Sequence, residues 1–378
     1  MNRIAYILIP LLLSLGSFST LRSTAIEEEI IQSSSFENDL DGWSIKATDV
    51  WGDPPEAWSI TRSQDMAKDG NTSLKLFLAN SNDAEKIWIE KSFAVEPNGI
   101  YQVTVEYALA SVIPEQSADF TIITGVLANS PNTREDLRPA YKDEANNGTS
   151  EVGYKWRDRL YDFTVRSHEH GMLYVVIGIW GTWEVRQKYY LDALQVTVTK
   201  KPDSAKFYSF ESDLEGWTAN ASDTGLGTES SDWFISRMQE VPLGGEDGEY
   251  SIHFDLNNLT HNGKIWMERA FSVEPRRKYK VDLDYAFHHA YCAGPPPKFN
   301  IIAGVFRRHP ESGEDILDAV REKTGVTKCL WGWMQKSYSF TIKSKKSDTL
   351  YAVIGIWDKD EAHRTYNVDS VCITITPK

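Results

Sequence analysis

The chain contains one sequence pattern twice, and this repetition limits what it can fold into. Five tryptophans of the first half return in the second half after 174 to 178 residues. The pairs are Trp43/Trp217, Trp58/Trp233, Trp88/Trp266, Trp156/Trp333 and Trp180/Trp357. Longer stretches match as well, for example Ser35 to Trp43 with Ser209 to Trp217. The duplication predicts two domains of the same fold, at residues 32–200 and 207–378.

Alternating hydrophobic and polar residues predict β-strands in both halves. Residues 101–107 place Tyr and Val on one face and Gln, Thr and Glu on the other, and residues 279–285 repeat this alternation. Similar segments recur between turns that contain Pro, Gly or Asn, and no segment has a long helical period. The prediction is an all-β chain of two tandem antiparallel β-sandwich domains.

The N-terminus has the three-part layout of a secretory signal peptide. Arg3 is followed by the apolar run Ile4–Leu15 and then by the small residues Ser23 and Ala25. This run is shorter than the about 20 residues of a transmembrane helix. We expect residues 1–25 to be cleaved and the mature chain to be extracellular or at the cell surface, with no transmembrane anchor; an uncleaved anchor is the alternative.

The net charge and the cysteines exclude some classes of partner and scaffold. A formal net charge of −14 disfavours nucleic acid, since an acidic surface repels phosphate. Cys292, Cys329 and Cys372 all lie in the second half, so a disulfide is not part of the shared scaffold. Cys292 and Cys329 fall in expected end loops, which favours their pairing and leaves Cys372 free or intermolecular. Spacing alone leaves the other pairings open.

Several motifs resemble those of carbohydrate-binding modules. Each half opens with Phe-Glu followed by Leu-x-Gly-Trp, from Phe36 and from Phe210, and closes with a Tyr-x-hydrophobic-Asp strand, from Tyr189 and from Tyr366. This pattern resembles carbohydrate-binding modules of the galactose-binding-domain-like jelly-roll type, especially the xylan- and glucan-binding families. The resemblance covers both halves from end to end. It implies two jelly rolls and a polysaccharide or other glycan as the ligand.

The resemblance also implies a structural calcium ion in each domain, where the first and last strands meet. The matching residues are Glu37 with Asp192, and Glu211 with Asp369. Strand parity points both aspartates inward, and a buried carboxylate needs either a cation or N–H donors. Two carboxylates do not complete the about six to eight oxygens that calcium prefers. Hydrogen bonds that cap the strand are therefore the alternative.

Aromatic side chains are the candidate sugar contacts, because the apolar C–H faces of sugar rings stack on flat aromatic rings. Parity places Trp88 and Glu90, and likewise Trp266 and Glu268, on the solvent face of a strand. This arrangement predicts an exposed indole flanked by charged side chains in each domain. Packing in the core is the alternative for every matched Trp, and a β-bulge would reverse the parity.

Further candidates lie where strands give way to loops. Trp180 and Trp357 end a strand at the expected rim of the sandwich. Trp51, Trp183 and Trp331 have no counterpart in the other half and belong to loops, so we expect them to adjust ligand binding rather than to support the shared fold. A loop Trp that caps the core is the alternative.

These observations predict a secreted, non-catalytic carbohydrate-binding protein that engages glycan through aromatic platforms. A structural or adhesive cell-surface protein, using the same fold to contact another protein, is the alternative. An enzyme acting on polysaccharide is the third hypothesis. It ranks last because the sequence contains no His-Glu-x-x-His motif, nucleophile elbow or phosphate-binding loop.

Overall fold

The computed structural model describes residues 29–112, 119–146, 154–182, 184, 186–225, 232–239, 248–289, 298–325, 333–346 and 348–378. The predicted signal peptide lies outside these residues, as do Cys292 and Cys329 of the predicted disulfide. Cys372 is described, and its thiol is buried and free. In the described residues, no helix is both long enough and apolar enough to cross a membrane.

The described residues form strands throughout, with two short 3₁₀ turns. In domain 1 the strands are β1 (Glu29–Ser34), β2 (Ser44–Thr48), β3 (Trp58–Ser63), β4 (Ser73–Leu78), β5 (Lys86–Ala94), β6 (Ile100–Val112), β7 (Asp119–Leu127), β8 (Tyr141–Asn146), β9 (Tyr154–Arg166), β10 (Met172–Gly181) and β11 (Gln187–Lys200). In domain 2 they are β12 (Lys206–Tyr208), β13 (Thr218–Ser222), β14 (Trp233–Gln239), β15 (Tyr250–Asn257), β16 (Lys264–Ser272), β17 (Lys278–His288), β18 (Lys298–Phe306), β19 (Val320–Gly325), β20 (Met334–Lys343), β21 (Thr349–Asp358) and β22 (His363–Pro377). The 3₁₀ turns are Arg138–Ala140 and Leu317–Ala319.

Each domain is a sandwich of two antiparallel sheets, as the sequence predicts. In domain 1 the large sheet has the order β3-β4-β11-β6-β9, with β1 also paired to β11, and the small sheet has the order β2-β5-β10-β7-β8. Domain 2 repeats this with β14-β15-β22-β17-β20, where β12 pairs with β22, and with β13-β16-β21-β18-β19. The duplication therefore extends to the strand order of both sheets.

The predicted alternation is confirmed in the core between the two sheets. In β6 the odd-numbered residues 101–109 are buried there, whereas Gln102, Thr104 and Glu106 keep some or all of their exposure. In β17 the odd-numbered residues 279–287 occupy the matching core of domain 2. Burying each large apolar side chain contributes about 1.5 to 3 kcal/mol, so this stripe fixes which face of the strand points inward.

The outer face of each small sheet is also covered, and the alternation does not predict this. Residues 128–140, here called the covering loop of domain 1, fold over the sheet and form a second hydrophobic cluster with Trp88. The covering loop of domain 2, residues 307–319, forms the equivalent cluster with Trp266. Each domain thus has a main core between the sheets and a smaller core outside one of them.

A glycine lies opposite each of these tryptophans, where the two strands approach closely. Gly178 lies opposite Trp88 in the β5–β10 pair, and a Cβ atom there would come within 2.6 Å of the Trp88 Cβ. Gly355 lies opposite Trp266, where a Cβ would come within 2.5 Å of the Trp266 Cβ. The nearest atoms to these Cβ positions are the backbone carbonyl oxygens of Ile87 and Ile265, so a larger residue would push the two strands apart. The repeated Ile-Gly-Ile-Trp motif is therefore a packing requirement.

The connection between β11 and β12 has five residues, 201–205, and it is anchored at its start. The Lys201 Nζ lies 2.8 Å from the Asp284 Oδ2 of domain 2, and both side chains are largely buried. Just beyond the connection, the Phe207 carbonyl accepts a hydrogen bond of 3.2 Å from Arg166 of domain 1, whose guanidinium also lies over the Phe207 ring. Both ends of the connection therefore contact the neighbouring domain.

Candidate functional site

Trp88 and Trp266 are buried, so the prediction that they form exposed platforms is wrong. Each residue is 1 % exposed. The predicted parity is right, because Ile87 and Ile89 belong to the main core while Trp88 lies on the other side of the sheet. The covering loop occupies that side. An indole with no exposed face cannot stack on a sugar ring, and these two residues pack the smaller cores instead.

Glu90 and Glu268 are buried on the same outer faces, which corrects their predicted exposure. The Glu90 carboxylate lies 3.2 Å from the Lys46 ammonium and accepts a hydrogen bond of 2.8 Å from the Ser130 hydroxyl. Glu268 instead pairs with the imidazole of His309. Burial raises the pKa of the Glu268 carboxyl, and His309 partly offsets this. Both carboxylates tie a covering loop to its sheet.

Trp180 lies at the end of its strand, as predicted, with its ring half-buried. The Lys86 ammonium lies 4.7 Å from the ring centre, and the Tyr141 ring lies 5.0 Å away. The indole N–H donates to the Asp83 carbonyl at 3.1 Å. Trp180 therefore joins the smaller core to the loops at the end of the sandwich and keeps part of its surface exposed.

Trp357 occupies the matching place in domain 2, and its ring is likewise half-buried. The ammonium groups of Lys264 and Lys359 lie 4.9 and 2.9 Å from the ring centre. The indole N–H donates to the Asn262 Oδ1 at 2.9 Å. Trp357 therefore has a second lysine over its ring where Trp180 has the Tyr141 ring.

Trp51 has the most accessible large hydrophobic side chain in the part of the chain that the structure describes. It is 69 % exposed. The loop that bears it runs from Asp49 to Glu56, and Gly52 in this loop has a φ of +107°, which a residue with a Cβ rarely adopts. The unpaired loop position that the sequence singles out therefore presents an indole to solvent.

The backbone of Trp51 is fixed although its side chain is free. The Glu85 carboxylate is buried and accepts hydrogen bonds from three backbone N–H groups, those of Trp51 at 3.2 Å, Asn80 at 2.9 Å and Ser81 at 3.1 Å. This one side chain ties together the two loops at this end of the sandwich. A fixed platform binds more tightly than a mobile one, because less conformational entropy is lost on binding.

The surface around Trp51 also carries planar polar groups. We define the rim of domain 1 as residues 49–56, residues 81–86 and Trp180. Within it the carboxylates of Asp53, Glu56 and Asp83 belong to exposed residues. Carboxylates accept hydrogen bonds from hydroxyl groups in a fixed geometry, so the rim combines an apolar plane with hydroxyl acceptors.

Domain 2 has no such platform at the matching place. Asp49 and Asp223 correspond, since each has a positive φ and pairs with a lysine of the next strand, Lys86 or Lys264. Counting from them, the position of Trp51 is taken by Gly225. Of the sequence-predicted contacts, Trp51 and Trp180 lie at the same end of domain 1. Trp180 also packs on the smaller core of Trp88, as Trp357 does on that of Trp266. Trp183 and Trp331 lie outside the described residues.

The carboxylates predicted to hold calcium bind backbone N–H groups instead. In domain 1 the Asp192 Oδ2 accepts from the N–H groups of Lys68 at 2.7 Å and Asp69 at 2.9 Å. The Glu37 Oε1 accepts from Asn71 and Thr72, both at 2.8 Å. The loop between β3 and β4 therefore points its backbone N–H groups at both carboxylates. Domain 1 thus has the hydrogen bonds that were the alternative to calcium.

In domain 2, Glu211 follows the same pattern. Its Oε1 accepts from the Tyr250 N–H at 3.1 Å. Asp369 is fully buried, like its counterpart Asp192 in domain 1. The described parts of the chain contain no group of three or more His, Cys, Asp or Glu placed to hold a metal ion.

An arginine binds backbone carbonyl oxygens beside the carboxylates that were predicted to hold calcium. Arg62 donates from Nε to the Phe36 carbonyl at 2.7 Å and from Nη2 to the Glu37 carbonyl. Arg237 makes the same two bonds to Phe210 and Glu211, its Nε bond also measuring 2.7 Å. Since carboxylate and carbonyl oxygens are the ligands calcium needs, the residues present do not fit the ion.

The two tandem β-sandwich domains are similar in fold to tandem carbohydrate-binding modules. One such structure is the N-terminal tandem of two CBM22 domains of Xyn10C from Paenibacillus barcinonensis, with 16 % identity over 93 % of this chain and 99 % of that chain and a TM-score of 0.31. The CBM22-1 xylan-binding domain of the same protein matches 47 % of this chain and 100 % of its own, with 16 % identity and a TM-score of 0.28.

Another similar structure is an adhesin domain. The K1 cleaved adhesin domain of Lys-gingipain from Porphyromonas gingivalis matches 45 % of this chain and 97 % of its own, with 12 % identity and a TM-score of 0.29. No protein-family model and no curated protein matches the chain. At these identities and TM-scores, nothing about the ligand or partner of this chain follows from the likeness.

Proposed function

We propose that this protein is a secreted, non-catalytic glycan-binding protein that holds a saccharide against Trp51 at the rim of domain 1. The observation that carries the proposal is the combination of an indole that is 69 % exposed with a backbone held by the buried Glu85 carboxylate. Exposing a tryptophan to water is unfavourable, because burying a large apolar side chain contributes about 1.5 to 3 kcal/mol. A fixed exposed indole is therefore best explained by a ligand that covers it.

The chemistry of the rim fits a sugar. The apolar C–H face of a pyranose can stack on the Trp51 indole, and its equatorial hydroxyls can donate to carboxylates such as Asp53 and Asp83. The rim is an open surface, which suits a chain of sugar units rather than a small molecule enclosed in a cavity. We place no reaction at this site, so binding itself is the proposed activity.

Calorimetry with the full mature chain tests the proposal. Soluble xylan, β-glucan and galactan oligosaccharides are titrated into the wild-type protein and into Trp51→Ala. We expect at least one of them to bind, and Trp51→Ala to weaken that binding at least about tenfold, which corresponds to about 1.4 kcal/mol. The matched control is Trp357→Ala at the rim of domain 2, which should leave this binding unchanged.

Two outcomes would overturn the proposal. One is that no oligosaccharide binds the wild-type chain; the other is that binding persists unchanged in Trp51→Ala. If Trp51→Ala instead weakens self-association or capture of a cell-surface protein while no sugar binds, the adhesive alternative is correct.

A further inference from the structure

A cationic segment distinguishes the covering loop of domain 2 from that of domain 1. The covering loop of domain 2 begins with Arg307-Arg308-His309. The matching residues of domain 1 are Ala128-Asn129-Ser130. The alignment starts from Gly125 and Gly304, because each lies against the corresponding alanine of its covering loop, Ala140 or Ala319. The whole chain has a net charge of −14. The two arginines are therefore a local feature of one domain, and their charge is opposite in sign to the overall charge.

A cavity of about 390 Å³ is lined by Arg307, Arg308, His309, Glu311, Asp315, Thr349 and Tyr351. This volume lies at the small end of the about 300 to 1,000 Å³ that ligand pockets occupy, which is room for one or two sugar units. The Tyr351 ring is half-buried, and its centre lies 6.0 Å from that of the His309 ring. An aromatic ring thus forms part of the wall beside the cations.

The cavity lies far from the Trp357 rim of its own domain. Thr349 begins β21, and Trp357 stands eight residues further along the same strand. At about 3.3 Å per residue, the two ends are about 26 Å apart. The cavity is therefore a separate place on domain 2, and it has no part in the rim contacts described above.

Arg308 is held in place by an ion pair. Its Nη2 lies 2.9 Å from the Asp315 Oδ1. The other Asp315 oxygen accepts from the Glu311 N–H and from the Ser312 hydroxyl, both at 3.1 Å, and these hydrogen bonds lower the pKa of the Asp315 carboxyl. A guanidinium has five N–H donors, so this pair leaves most of them for a ligand.

His309 is held by the buried Glu268. The pair uses the His309 Nδ1, while the side chain as a whole stays 46 % exposed. The other ring nitrogen, Nε2, therefore remains for a ligand. In domain 1 the matching Glu90 pairs with Lys46 and Ser130. The loop residue that binds this carboxylate is therefore a serine and not a basic residue. Glu268 is a positioning residue for this cavity.

Arg307 completes the set. Among the residues that the structure describes, no ion pair engages its guanidinium, and the side chain belongs to an exposed residue. The carboxylates nearby are Asp315, Glu268 and Glu311. The first two are paired with Arg308 and His309, so Arg307 contributes a positive charge that only Glu311 is placed to oppose.

We propose that this cavity is a second binding site, for a sugar unit that carries an anionic group, either a carboxylate or a sulfate. The inference rests on the proposed glycan-binding function, and it adds a charged class of ligand at a place distinct from the domain 1 rim. The planar fork of an arginine matches a carboxylate with two parallel hydrogen bonds. The Tyr351 ring supplies an apolar wall for the sugar face.

The test compares matched saccharides on the full chain by calorimetry. The probes are a glucuronic-acid-containing xylo-oligosaccharide, its neutral counterpart and a sulfated counterpart. The main variant restores the domain 1 residues, with Arg307→Ala, Arg308→Asn and His309→Ser combined. We expect the wild type to prefer an acidic probe, and this variant to lose about tenfold or more in affinity for it while binding the neutral probe as before.

Two further variants keep the test sharp if the triple change disturbs the covering loop. Arg307→Ala alone removes an exposed charge and should weaken only the acidic probe. His309→Gln keeps a hydrogen-bond donor for Glu268 and should weaken the acidic probe less than the triple variant does. Raising the salt concentration should weaken the acidic probe more than the neutral one, because exposed charges are screened.

The outcomes separate this inference from the proposed function. If no saccharide binds at all, both fail. If a neutral saccharide binds through Trp51 but the acidic probes bind no more tightly, only the second site is overturned. An acidic peptide that binds the wild type, and not the triple variant, with sugars unaffected, would show that the cavity takes a protein and would also overturn it.

Discussion

The two domains have the same sheets and the same buried tryptophans, yet they differ at the surface positions that flank them. Trp88 and Trp266 are equally buried, and Arg62 and Arg237 make the same pair of hydrogen bonds. By contrast, domain 1 has Trp51 where domain 2 has Gly225. The features kept in both copies hold the fold together, and the features found in one copy are those that a ligand can reach.

The same comparison applies to the buried carboxylates of the outer sheet faces. Glu90 pairs with Lys46 and Ser130, whereas Glu268 pairs with His309, which lies at a cavity. Asn220 of domain 2 occupies the strand position of Lys46, opposite the buried Trp. The partner of the buried carboxylate is therefore a strand residue in domain 1 and a residue of the covering loop in domain 2.

The largest expected effect concerns what the domains share. Trp88→Ala should lower the free energy of unfolding of domain 1 by about 3 to 5 kcal/mol, because it removes a fully buried indole from the smaller core. Trp266→Ala should do the same in domain 2. Urea unfolding of the full chain followed by tryptophan fluorescence measures both. Trp51→Ala is the control, with a change within about 0.5 kcal/mol; a loss below about 1 kcal/mol in Trp88→Ala would contradict the burial.

The two domains should also differ in their free energy of unfolding at acid pH, by a smaller amount. Burial, and then the positive charges of Arg364 and His288, lower the pKa of His289 from 6.5 to about 4. The folded state therefore favours the neutral imidazole. The stability this provides is complete above about pH 6.5 and is lost as the pH falls through about 4, a change of about 3 kcal/mol. Ser111 is the matching residue of domain 1, so domain 2 should lose stability first.

Urea unfolding at pH 7.5 and pH 4.5 measures this difference between the domains. In His289→Ser, which carries the domain 1 residue, domain 2 should lose most of its dependence on pH in this window. Equal acid sensitivity of the two domains in the wild type would show that His289 does not set it.

The smallest expected effect concerns the arginines that bind carbonyl groups beside the predicted calcium carboxylates. Arg62→Met should lower the free energy of unfolding by about 1.5 to 3 kcal/mol, since it removes two charge-assisted hydrogen bonds to the Phe36 and Glu37 carbonyls. Arg237→Met should have the same effect in domain 2. Calcium and chelator should leave the Tm of the wild type unchanged in differential scanning calorimetry. A calcium-dependent rise in Tm of several degrees would show instead that an ion displaces the guanidinium.

The sandwich architecture was predictable because it depends on period-two patterns that the chain repeats. The alternation in residues 101–107 is determined by burial of one face, and the second copy confirms it at residues 279–285. The environment of Trp88 was not predictable from its strand. The strand parity of Trp88 was predicted correctly. The covering loop of domain 1, about 40 residues further along the chain, folds over the outer face of the sheet, and the pattern of the strand itself does not indicate this contact.

The candidate site was predictable in part. Trp51 stood out because it has no counterpart, and an unmatched loop Trp has no role in the shared core. Glu85, which fixes the loop, could not be recognised because its hydrogen bonds go to backbone groups, which leave no trace in side-chain patterns. The exchange of Ala128-Asn129-Ser130 for Arg307-Arg308-His309 was visible in the sequence. Only the cavity shows that these cations converge.

The glycines opposite the buried tryptophans have a consequence for the history of this domain. The space where a Cβ atom of Gly178 would lie is already filled by the backbone of Ile87 and Trp88 in the neighbouring strand, and the backbone of Ile265 and Trp266 fills it at Gly355. Each glycine must therefore persist whatever side chain faces it. The spacing of the tryptophans drifts with loop length between the copies, but these glycines cannot change. Distant copies of the domain in other chains should keep a glycine at this place in the strand, even where every loop has diverged.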